Sequence, residues 1–313
     1  MGQRTQAGIL VAPAVAAAPG EGLVDQLGAW VALVKPRIVV LVVFTAVVSC
    51  YLAANGSPRA NVVLVLIASG ALSAGGAAAF NHYYDRDIDA RMRRTLGRPL
   101  PTGRVRQPQL VLVGSALLIL FGVLLATTVN LELAGFELVG AFVYAIIYTL
   151  WLKRRTVLNI VIGGLAGSAA VLGGWAAIDP RLGVAPLLLS GVVFLWTPAH
   201  FWSLALARQS DYDGVRVPML PSIVGARSTS WWVLIHILAA VAVSLWLGAV
   251  AARGPLFFVL AGGAGLVFGA GGLAMLRQPD EKTGYHLFKL SGPYLGLVFL
   301  GLFLDTLIGA LWL

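Results

Sequence analysis

The chain alternates long apolar runs with short polar segments, and nine of the runs are long enough to cross a lipid bilayer. A helix needs about 20 apolar residues to span a hydrocarbon core of about 30 Å. Each run must be helical, because open backbone would leave polar groups unsatisfied in lipid. The pattern predicts an all-α integral membrane protein with spans at 38–54, 61–82, 108–128, 131–151, 158–178, 186–206, 231–250, 255–276 and 290–311.

The composition supports this prediction. Charged residues make up 11% and hydrophobic residues 59% of the chain, against about 25% and roughly 45–50% in soluble domains. The single cysteine, Cys50, lies in an apolar run. A disulfide framework, a CxxC motif and a zinc cluster of cysteines are therefore excluded.

The N-terminal stretch differs in composition from the rest. Residues 1–30 are rich in Ala, Gly and Pro, which predicts a flexible tail. The nine spans follow within residues 31–313, which we expect to form one domain, a helical bundle with a polar cavity that faces the cytoplasm.

The distribution of Lys and Arg predicts the orientation. All but three of the 22 Lys and Arg residues lie in the tail, in the loops after spans two, four, six and eight, or in their flanks; the exceptions are Arg59, Arg181 and Arg253. The positive-inside rule then places the N-terminus in the cytoplasm and the C-terminus outside, in an inner (plasma) membrane. The net charge of +9 suits an anionic lipid surface. We do not predict nucleic-acid binding, because positive-inside loops carry the same charge.

The segment after span two combines acidic and basic residues. Asn81, Asp85 and Asp89 are four residues apart, so on a helix they share one face. Two carboxylates at that spacing repel unless a cation lies between them. Mg²⁺ binds one or two carboxylates and completes its coordination with phosphate oxygens and water, and nearby arginines bind the same anion. The pattern favours a metal-bridged diphosphate site.

A simpler interpretation is a solvated helix end, in which Asp87–Arg91 and Asp89–Arg93 form i,i+4 ion pairs worth a few tenths of a kcal/mol. A second acidic patch, Asp211 and Asp213, follows span six on the same side of the membrane. Two acidic patches on one side favour the metal-diphosphate interpretation.

Several segments resemble a known family. NHYYDRDIDARMRRT, RPLPTGR, YTLWLKRRTVLNIVIGG, TPAHFW and DYDGVRVPMLP are similar to segments of the UbiA-type intramembrane prenyltransferases. TPAHFW and the DYxxxxxPMLP pattern resemble the protohaem IX farnesyltransferase (haem O synthase) branch in particular. The resemblance runs from about residue 35 to the C-terminus.

The resemblance implies an activity. The farnesyl group of farnesyl diphosphate would be transferred to a vinyl group of haem b, with addition of water, to give haem O and diphosphate. Haem O leads to the haem A of terminal oxidases, so a haem O-modifying enzyme or a terminal oxidase is an implied partner. Haem b would be a substrate rather than a permanent cofactor.

The resemblance also implies site residues. Asn81, Asp85 and Asp89 would hold Mg²⁺ on the diphosphate, and Asp211 would belong to the second acidic cluster. The sequence departs from the wider family here, because Val215 stands where the second acid of DxxxD is expected. Whether Asp213 replaces that acid stays open.

Cations on the same side are candidates to stabilise the leaving diphosphate. Arg98, Arg104 and Lys153 are predicted for this role, and Tyr148, one helical turn before the lysine, would bind the diphosphate or steady the lysine. For Lys153 and Arg104 the alternative is that they only obey the positive-inside rule.

His200 lies near the cytoplasmic end of span six. An ionisable residue there is a functional candidate, and three roles stay open: ligand of haem iron, ligand of a propionate, or proton acceptor. The alternative is a structural histidine bonded to a neighbouring carbonyl.

Three rival functions compete with this interpretation. A transporter would bury its acids near the bilayer midplane, whereas here the acids cluster at span ends and only Asp305 is expected to lie deep. A structural haem-handling subunit gives no role to two acidic patches. A sister prenyltransferase that acts on an aromatic ring or a chlorin remains the runner-up.

Overall fold

The computed structural model describes residues 22–311. Nine helical spans in this range are long and apolar enough to cross a membrane, as the sequence predicts. In chain order the elements are α1 (Leu23–Leu33), α2 (Pro36–Ala53), α3 (Ala60–Asp89), α4 (Pro108–Ala126), α5 (Leu131–Phe142), a π-helical segment (Val143–Leu152), α6 (Asn159–Gly163), α7 (Leu165–Ala176), α8 (Val184–Ala207), α9 (Gln209–Gly214), α10 (Leu220–Val250), α11 (Pro255–Arg277) and α12 (Glu281–Ala310). The π segment continues α5, and α6 with α7 forms one span.

The N-terminal boundary differs from the prediction. Residues 1–21 of the predicted tail lie outside the described residues, so their flexibility stays a prediction. Helix α1 begins at Leu23, within the stretch assigned to the tail. Its Ala29 and Leu33 are almost fully buried in a small cluster with Ala79 of α3. Helix α1 packs through a short apolar face, which an alanine-rich composition does not reveal. The predicted boundary between tail and domain, after residue 30, was therefore too late in the chain.

Three helices extend past their predicted spans. Helix α3 continues to Asp89, α10 begins at Leu220 and α12 begins at Glu281. Hydropathy marks only the part of a helix in lipid, so polar ends that project beyond the bilayer escape it. The three acids after span two therefore lie on α3 and not in a loop.

Small residues allow the helices to approach closely. A Cβ on Gly174 of α7 would overlap the backbone of Ala46 in α2, and one on Gly76 of α3 would meet the Ser115 carbonyl of α4 at 2.7 Å. Small side chains at helix contacts are typical of membrane bundles, where packing drives association. The Gly-rich spans are packing surfaces.

Glu137 lies within the apolar part of the bundle, whereas Asp305, which was expected to lie deep, is level with the start of α11. Asp305 of α12 accepts a hydrogen bond from the backbone N–H of Gly254 at the start of α11. Glu137 of α5, which the prediction overlooked, accepts hydrogen bonds from Ser69 at 2.5 Å and Ser73 at 2.8 Å in α3. Each acid joins two helices by hydrogen bonds.

Candidate active site

In the last turns of α3, one polar face points into the interior of the bundle. Asn81, Asp85 and Asp89 are 3%, 0% and 2% exposed, whereas Asp87, between them, is exposed. The four-residue spacing predicts this arrangement, because residues four apart lie on one side of a helix. The protein therefore buries two carboxylates at one end of the membrane-spanning bundle.

Asn81 is the centre of a hydrogen-bond network. Its Oδ1 accepts a hydrogen bond of 2.5 Å from Nζ of Lys35, which precedes α2. Its Nδ2 donates to Asp85 Oδ2 at 2.7 Å and to Thr149 Oγ1 at 3.1 Å. Lys35 also donates to the hydroxyl of Tyr144 at 3.3 Å. The network ties α2, α3 and the π-helical segment together around one asparagine.

The π-helical segment sets the register of the residues that face α3. Its i→i+5 hydrogen bonding ends with the N–H of Lys153 donating to the Tyr148 carbonyl at 2.8 Å. Lys153 therefore follows Tyr148 by one wide turn, and its Nζ lies 5.9 Å from the centre of the Tyr148 ring. π-helical turns occur frequently at functional sites. Here the turn directs Lys153 onto Asp85, with which it forms an ion pair.

The two buried carboxylates are paired with cations from distant segments. Asp85 has Arg154 at 3.7 Å in addition to Lys153, and Asp89 forms an ion pair of 2.5 Å with Arg98. Exposed Asp87 also binds Arg154, at 2.6 and 2.8 Å. The alternative of i,i+4 pairs to Arg91 and Arg93 is not realised in the part of the chain that the structure describes.

The oxygen atoms of this face fit a metal that shares its coordination with a substrate. Within residues 22–311 no three His, Cys, Asp or Glu side chains converge as a protein-only metal site. However, Asp85 Oδ1 is buried and has no hydrogen-bond partner among the described residues. A hard cation such as Mg²⁺ needs only one or two carboxylates when phosphate oxygens and water supply its other ligands. Asn81, Asp85 and Asp89 provide that donor set.

The second acidic patch lies at the same end of the bundle. Asp211, on α9, accepts a hydrogen bond of 3.4 Å from the backbone N–H of Arg94, five residues beyond Asp89. Asp213 turns away, because it is exposed and accepts a hydrogen bond of 2.5 Å from Ser222 at the start of α10. The structure therefore brings Asp211, and not Asp213, to the segment that follows α3.

Arg104 has a local partner. Its guanidinium donates to the carbonyl of Gly97 at 2.8 Å and to Thr102 at 3.2 Å, so it closes the loop that carries RPLPTGR. Of the two predicted loop arginines, only Arg98 contacts the buried carboxylates.

His200 lies between α8 and α12. Its Nδ1 is 2.6 Å from Ser291 Oγ, and its ring stacks on Trp196 with centroids 4.4 Å apart. Phe288 of α12 covers another side at 4.5 Å. The imidazole is thus held in an aromatic setting, away from the hydrogen-bond network of Asn81.

Four residues of the site were not predicted: Lys35, Tyr144, Thr149 and Arg154. Lys35 had a signal, since a lysine followed by Pro36 directly precedes the first span. Its pKa lies well below its usual value, chiefly because the amine is buried and next because Arg98 and Lys153 are near, although Asp85 and Asp89 oppose the shift. Arg154 differs, since hydrogen bonding to Asp87 raises its pKa. Tyr144 and Thr149 had a signal that the prediction missed, because each precedes a predicted site residue, Tyr148 or Lys153, by four residues.

Comparison with known proteins identifies the family. The model of the UbiA prenyltransferase family matches residues 42–302, most of the chain. The chain belongs to the UbiA prenyltransferase family. Two curated relatives are named protoheme IX farnesyltransferase. The one from Symbiobacterium thermophilum is 42% identical over 280 residues, covering 88% of this chain and 93% of the relative. The one from Paracoccus denitrificans is 40% identical over 290 residues, covering 90% and 94%.

A solved UbiA homologue from Archaeoglobus fulgidus, bound to GPP and Mg²⁺, shares the fold. Its TM-score is 0.63 at 14% sequence identity, and the match covers 88% of this chain and 99% of that one. As a member of the UbiA family the protein is a membrane-embedded prenyltransferase. The buried face of α3 is its candidate active site.

Proposed function

We propose that the protein transfers the farnesyl group of farnesyl diphosphate to a vinyl group of haem b and releases haem O and diphosphate. The observation that carries the proposal is the near full-length identity of 42% to a protein named protoheme IX farnesyltransferase. The buried face of Asn81, Asp85 and Asp89 supports it, because it supplies the oxygen and cation set that a prenyl diphosphate requires. The segments TPAHFW and DYDGVRVPMLP favour haem b over an aromatic or chlorin acceptor.

The reaction breaks the bond between the farnesyl C1 and the diphosphate oxygen, and the bonding electron pair leaves with the diphosphate. The farnesyl carbon bonds to the terminal carbon of the vinyl group. Water adds to the other vinyl carbon, and its second proton is released, which gives a hydroxyethylfarnesyl group. Negative charge grows on the leaving oxygens, so groups aimed at them stabilise the transition state most in a water-poor site.

We assign three cations of the buried face to those oxygens: Lys35, Arg98 and Lys153. Arg154 is already bound to Asp87 through two hydrogen bonds. Lys35 and Lys153 meet the Asn81–Asp85 pair from opposite sides, through α2 and the π-helical segment. Each is at present bonded to the asparagine or the carboxylate, so a bound diphosphate would exchange these partners for its own oxygens. Arg104 stays a candidate to bind the diphosphate from the outer side of the loop.

Asn81, Asp85 and Asp89, with Asp211 from the second patch, would hold Mg²⁺. When bound, Mg²⁺ neutralises charge on the leaving diphosphate. The Oδ1 of Asp85 supports this assignment, because it accepts no hydrogen bond among the described residues and has Arg154 at 3.7 Å as an ion-pair partner. Asp213 would not contact the metal or the diphosphate directly. Any effect it has on the site would pass through Ser222, which donates a hydrogen bond to it.

Aromatic side chains border the cations. Tyr144 and Tyr148 stack with centroids 5.5 Å apart beside Lys35 and Lys153. Their faces attract positive charge, and their bulk excludes water that would otherwise quench an allylic cation. Tyr148 also steadies Lys153. We assign His200 to the part of the site that would bind haem b, the acceptor of the farnesyl group.

The distribution of Lys and Arg supports an active site that faces the cytoplasm, with the C-terminus outside an inner membrane. The catalytic domain would begin with α1 at Leu23, earlier than the predicted boundary at residue 31. The product would pass to a haem O-modifying enzyme or a terminal oxidase.

The proposal is tested with the full chain purified into lipid nanodiscs. Incubation with farnesyl diphosphate, haem b and Mg²⁺, followed by chromatography of the extracted haems, is expected to yield haem O, and excess EDTA is expected to stop its formation. Unchanged haem b together with prenylation of an aromatic or chlorin acceptor would establish the rival acceptor. Full activity in EDTA would reject the metal assignment.

A further inference from the structure

A polar cavity opens at the rim of the bundle, beyond the buried carboxylates. Its volume is about 290 Å³, and three arginines line it: Arg93 and Arg94, from the loop after α3, and Arg208, which follows α8. Ser210, Asp211 and the first residue of α12, Glu281, complete its polar lining. Asp211, which would also hold Mg²⁺, lies where this cavity borders the diphosphate site. Three separate segments therefore converge on one cavity with a surplus of positive charge.

The three guanidinium groups are available to a ligand. Within residues 22–311 none of them forms an ion pair, although Asp211 and Glu281 line the same cavity. Arg208 is held in place, because its guanidinium lies 5.5 Å from the centre of the Tyr285 ring of α12. An arginine positioned by an aromatic ring loses less freedom when it binds a carboxylate. The cavity has the chemistry of a site for an anion with two or more oxygens.

Resting on the proposed function, we infer that this cavity binds the propionate carboxylates of haem b. Haem b carries two propionates on one side of the macrocycle and its vinyl groups across the ring from them. Three arginines offer enough guanidinium groups to bind two carboxylates in bidentate geometry.

The position of the cavity suits this orientation. Along α3, Asp85 and Asn81 lie about 6 and 12 Å inward of Asp89, and Arg93 and Arg94 lie beyond Asp89 at the rim. Propionates held at the rim would direct the vinyl edge inward, to the level at which Asn81 and Asp85 would hold the diphosphate. On α8, His200 lies eight residues before Arg208, about 12 Å inward, so the macrocycle would extend between α8 and α12.

The diphosphate is the competing ligand for the same arginines, because it also offers anionic oxygens. The buried cluster already supplies Lys35, Lys153 and Arg98 to the diphosphate, whereas Arg93, Arg94 and Arg208 are the cations that line the cavity beside α8 and α12. The location next to α8 and α12 favours the haem carboxylates.

The inference is tested by haem binding, independently of turnover. The protein in zwitterionic nanodiscs is titrated with haem b and with its dimethyl ester, in which the propionates are uncharged, and the Soret band is followed. The wild type is expected to bind haem b about tenfold more tightly than the ester, since charge-assisted hydrogen bonds are lost with the ester. The double variant Arg93→Gln/Arg208→Gln is expected to bind both equally, at the weaker affinity.

Two controls separate the outcomes. Arg106→Gln removes an exposed arginine of the same rim that does not line the cavity, and it is expected to keep the tenfold preference. The apparent affinity for farnesyl diphosphate, measured in the same variants, is expected to change less than twofold. A double variant that keeps the preference for haem b would overturn the inference, as would one in which only the affinity for farnesyl diphosphate falls.

The proposed function fails separately. If the wild type makes no haem O from haem b, farnesyl diphosphate and Mg²⁺, the assigned reaction is wrong whatever the titration shows. If it makes haem O while the double variant still distinguishes haem b from the ester, only the propionate site is wrong.

Discussion

The amide of Asn81 joins Lys35 to Asp85: its oxygen accepts a hydrogen bond of 2.5 Å from the lysine, and its nitrogen donates one of 2.7 Å to the carboxylate. The lysine precedes the first span, and the other two residues close the second. A cation and an anion that would otherwise face each other across the site are thus held apart by one neutral side chain. Each can then engage a different part of a ligand.

This arrangement predicts that Lys35 takes up a proton when substrate binds. Burial, with Arg98 and Lys153 nearby, lowers the pKa of Lys35 well below 10.5, so the free protein favours the uncharged amine over part of the alkaline range. A bound diphosphate favours the ammonium form and raises the pKa again. Net proton uptake is therefore expected in alkaline buffer, below the ordinary lysine pKa of about 10.4.

Calorimetric titration with farnesyl diphosphate in two buffers of different ionisation enthalpy measures this uptake. Lys35→Met is expected to lose it and to bind at least about tenfold more weakly. Arg37→Gln, an exposed neighbour at the start of α2, is the control and should keep both. Proton uptake that persists in Lys35→Met would assign it to another group.

A second prediction separates the structural from the chemical role of the Asp85–Lys153 pair. Asp85 is fully buried and Lys153 nearly so, and loss of one member of a buried pair costs about 3–5 kcal/mol, because the other charge is left uncompensated. Asp85→Asn is expected to lower the melting temperature and to reduce haem O formation by at least about 100-fold.

The double variant Asp85→Asn/Lys153→Met removes both charges. It is expected to regain most of the melting temperature without regaining activity. Thermal unfolding in detergent and haem chromatography measure the two effects on the same preparation. Activity restored along with stability would show that the pair only supports the fold.

The local pattern of α3 could be predicted from the sequence, because Asn81, Asp85 and Asp89 lie within three turns of one helix and four-residue spacing fixes their common face. Lys35 could not be placed with them, since 46 residues separate it from Asn81 and no local rule specifies which helices meet. The partners of Asp87 and Asp89 were also unpredictable: i,i+4 spacing offers Arg91 and Arg93, but tertiary packing supplies Arg154 and Arg98 instead.

The π-helical segment shows a second limit. In an α-helix Tyr148 would share a face with Leu152, whereas the wider turn aligns it with Lys153. If a regular α-helical period is applied to YTLWLKR, every side chain after the π-helical turn is misplaced by one position.

Hydropathy has a comparable limit at the rim, because the polar ends of α3, α10 and α12 project beyond the lipid, where an apolar window no longer detects them.

A third prediction concerns the contact between α2 and α7. A Cβ on Gly174 would overlap the carbonyl of Ala46, and backbone cannot move aside as a flexible side chain can. Gly174→Ala is expected to destabilise the bundle by about 1–3 kcal/mol, seen as a lower melting temperature in detergent. Gly262→Ala in α11, where a Cβ would meet nothing within 4 Å, is the matched control and should leave it unchanged. Equal effects of the two substitutions would contradict the close contact.

The last prediction follows from the hydrogen bonds around His200. Ser291 Oγ donates to the carbonyl of Phe288 at 2.6 Å, so its single hydrogen is used there and it can only accept from the imidazole. The 2.6 Å contact with Nδ1 then assigns the proton to Nδ1. Nε2 therefore carries a lone pair. This favours a role of His200 as a metal ligand or a proton acceptor over a role as the hydrogen-bond donor to a propionate.

Two amide substitutions remove Nε2 as a base and as an iron ligand. Asn places its amide near the position of Nδ1 and can keep the bond to Ser291, whereas Gln reaches toward the position of Nε2 but offers an amide that is neither a base nor a good iron ligand. His200→Asn and His200→Gln are both expected to remain folded and to lose haem O formation by at least about 100-fold. If Nε2 binds iron, both also shift the Soret band of bound haem; if it accepts a proton, the band is unchanged and only turnover falls.

Ser291→Ala is the control, because it leaves Nε2 in place. It is expected to reduce haem O formation about tenfold, through loss of the hydrogen bond that orients the ring. Full activity in His200→Asn would show that the histidine serves only the packing of α8 against α12.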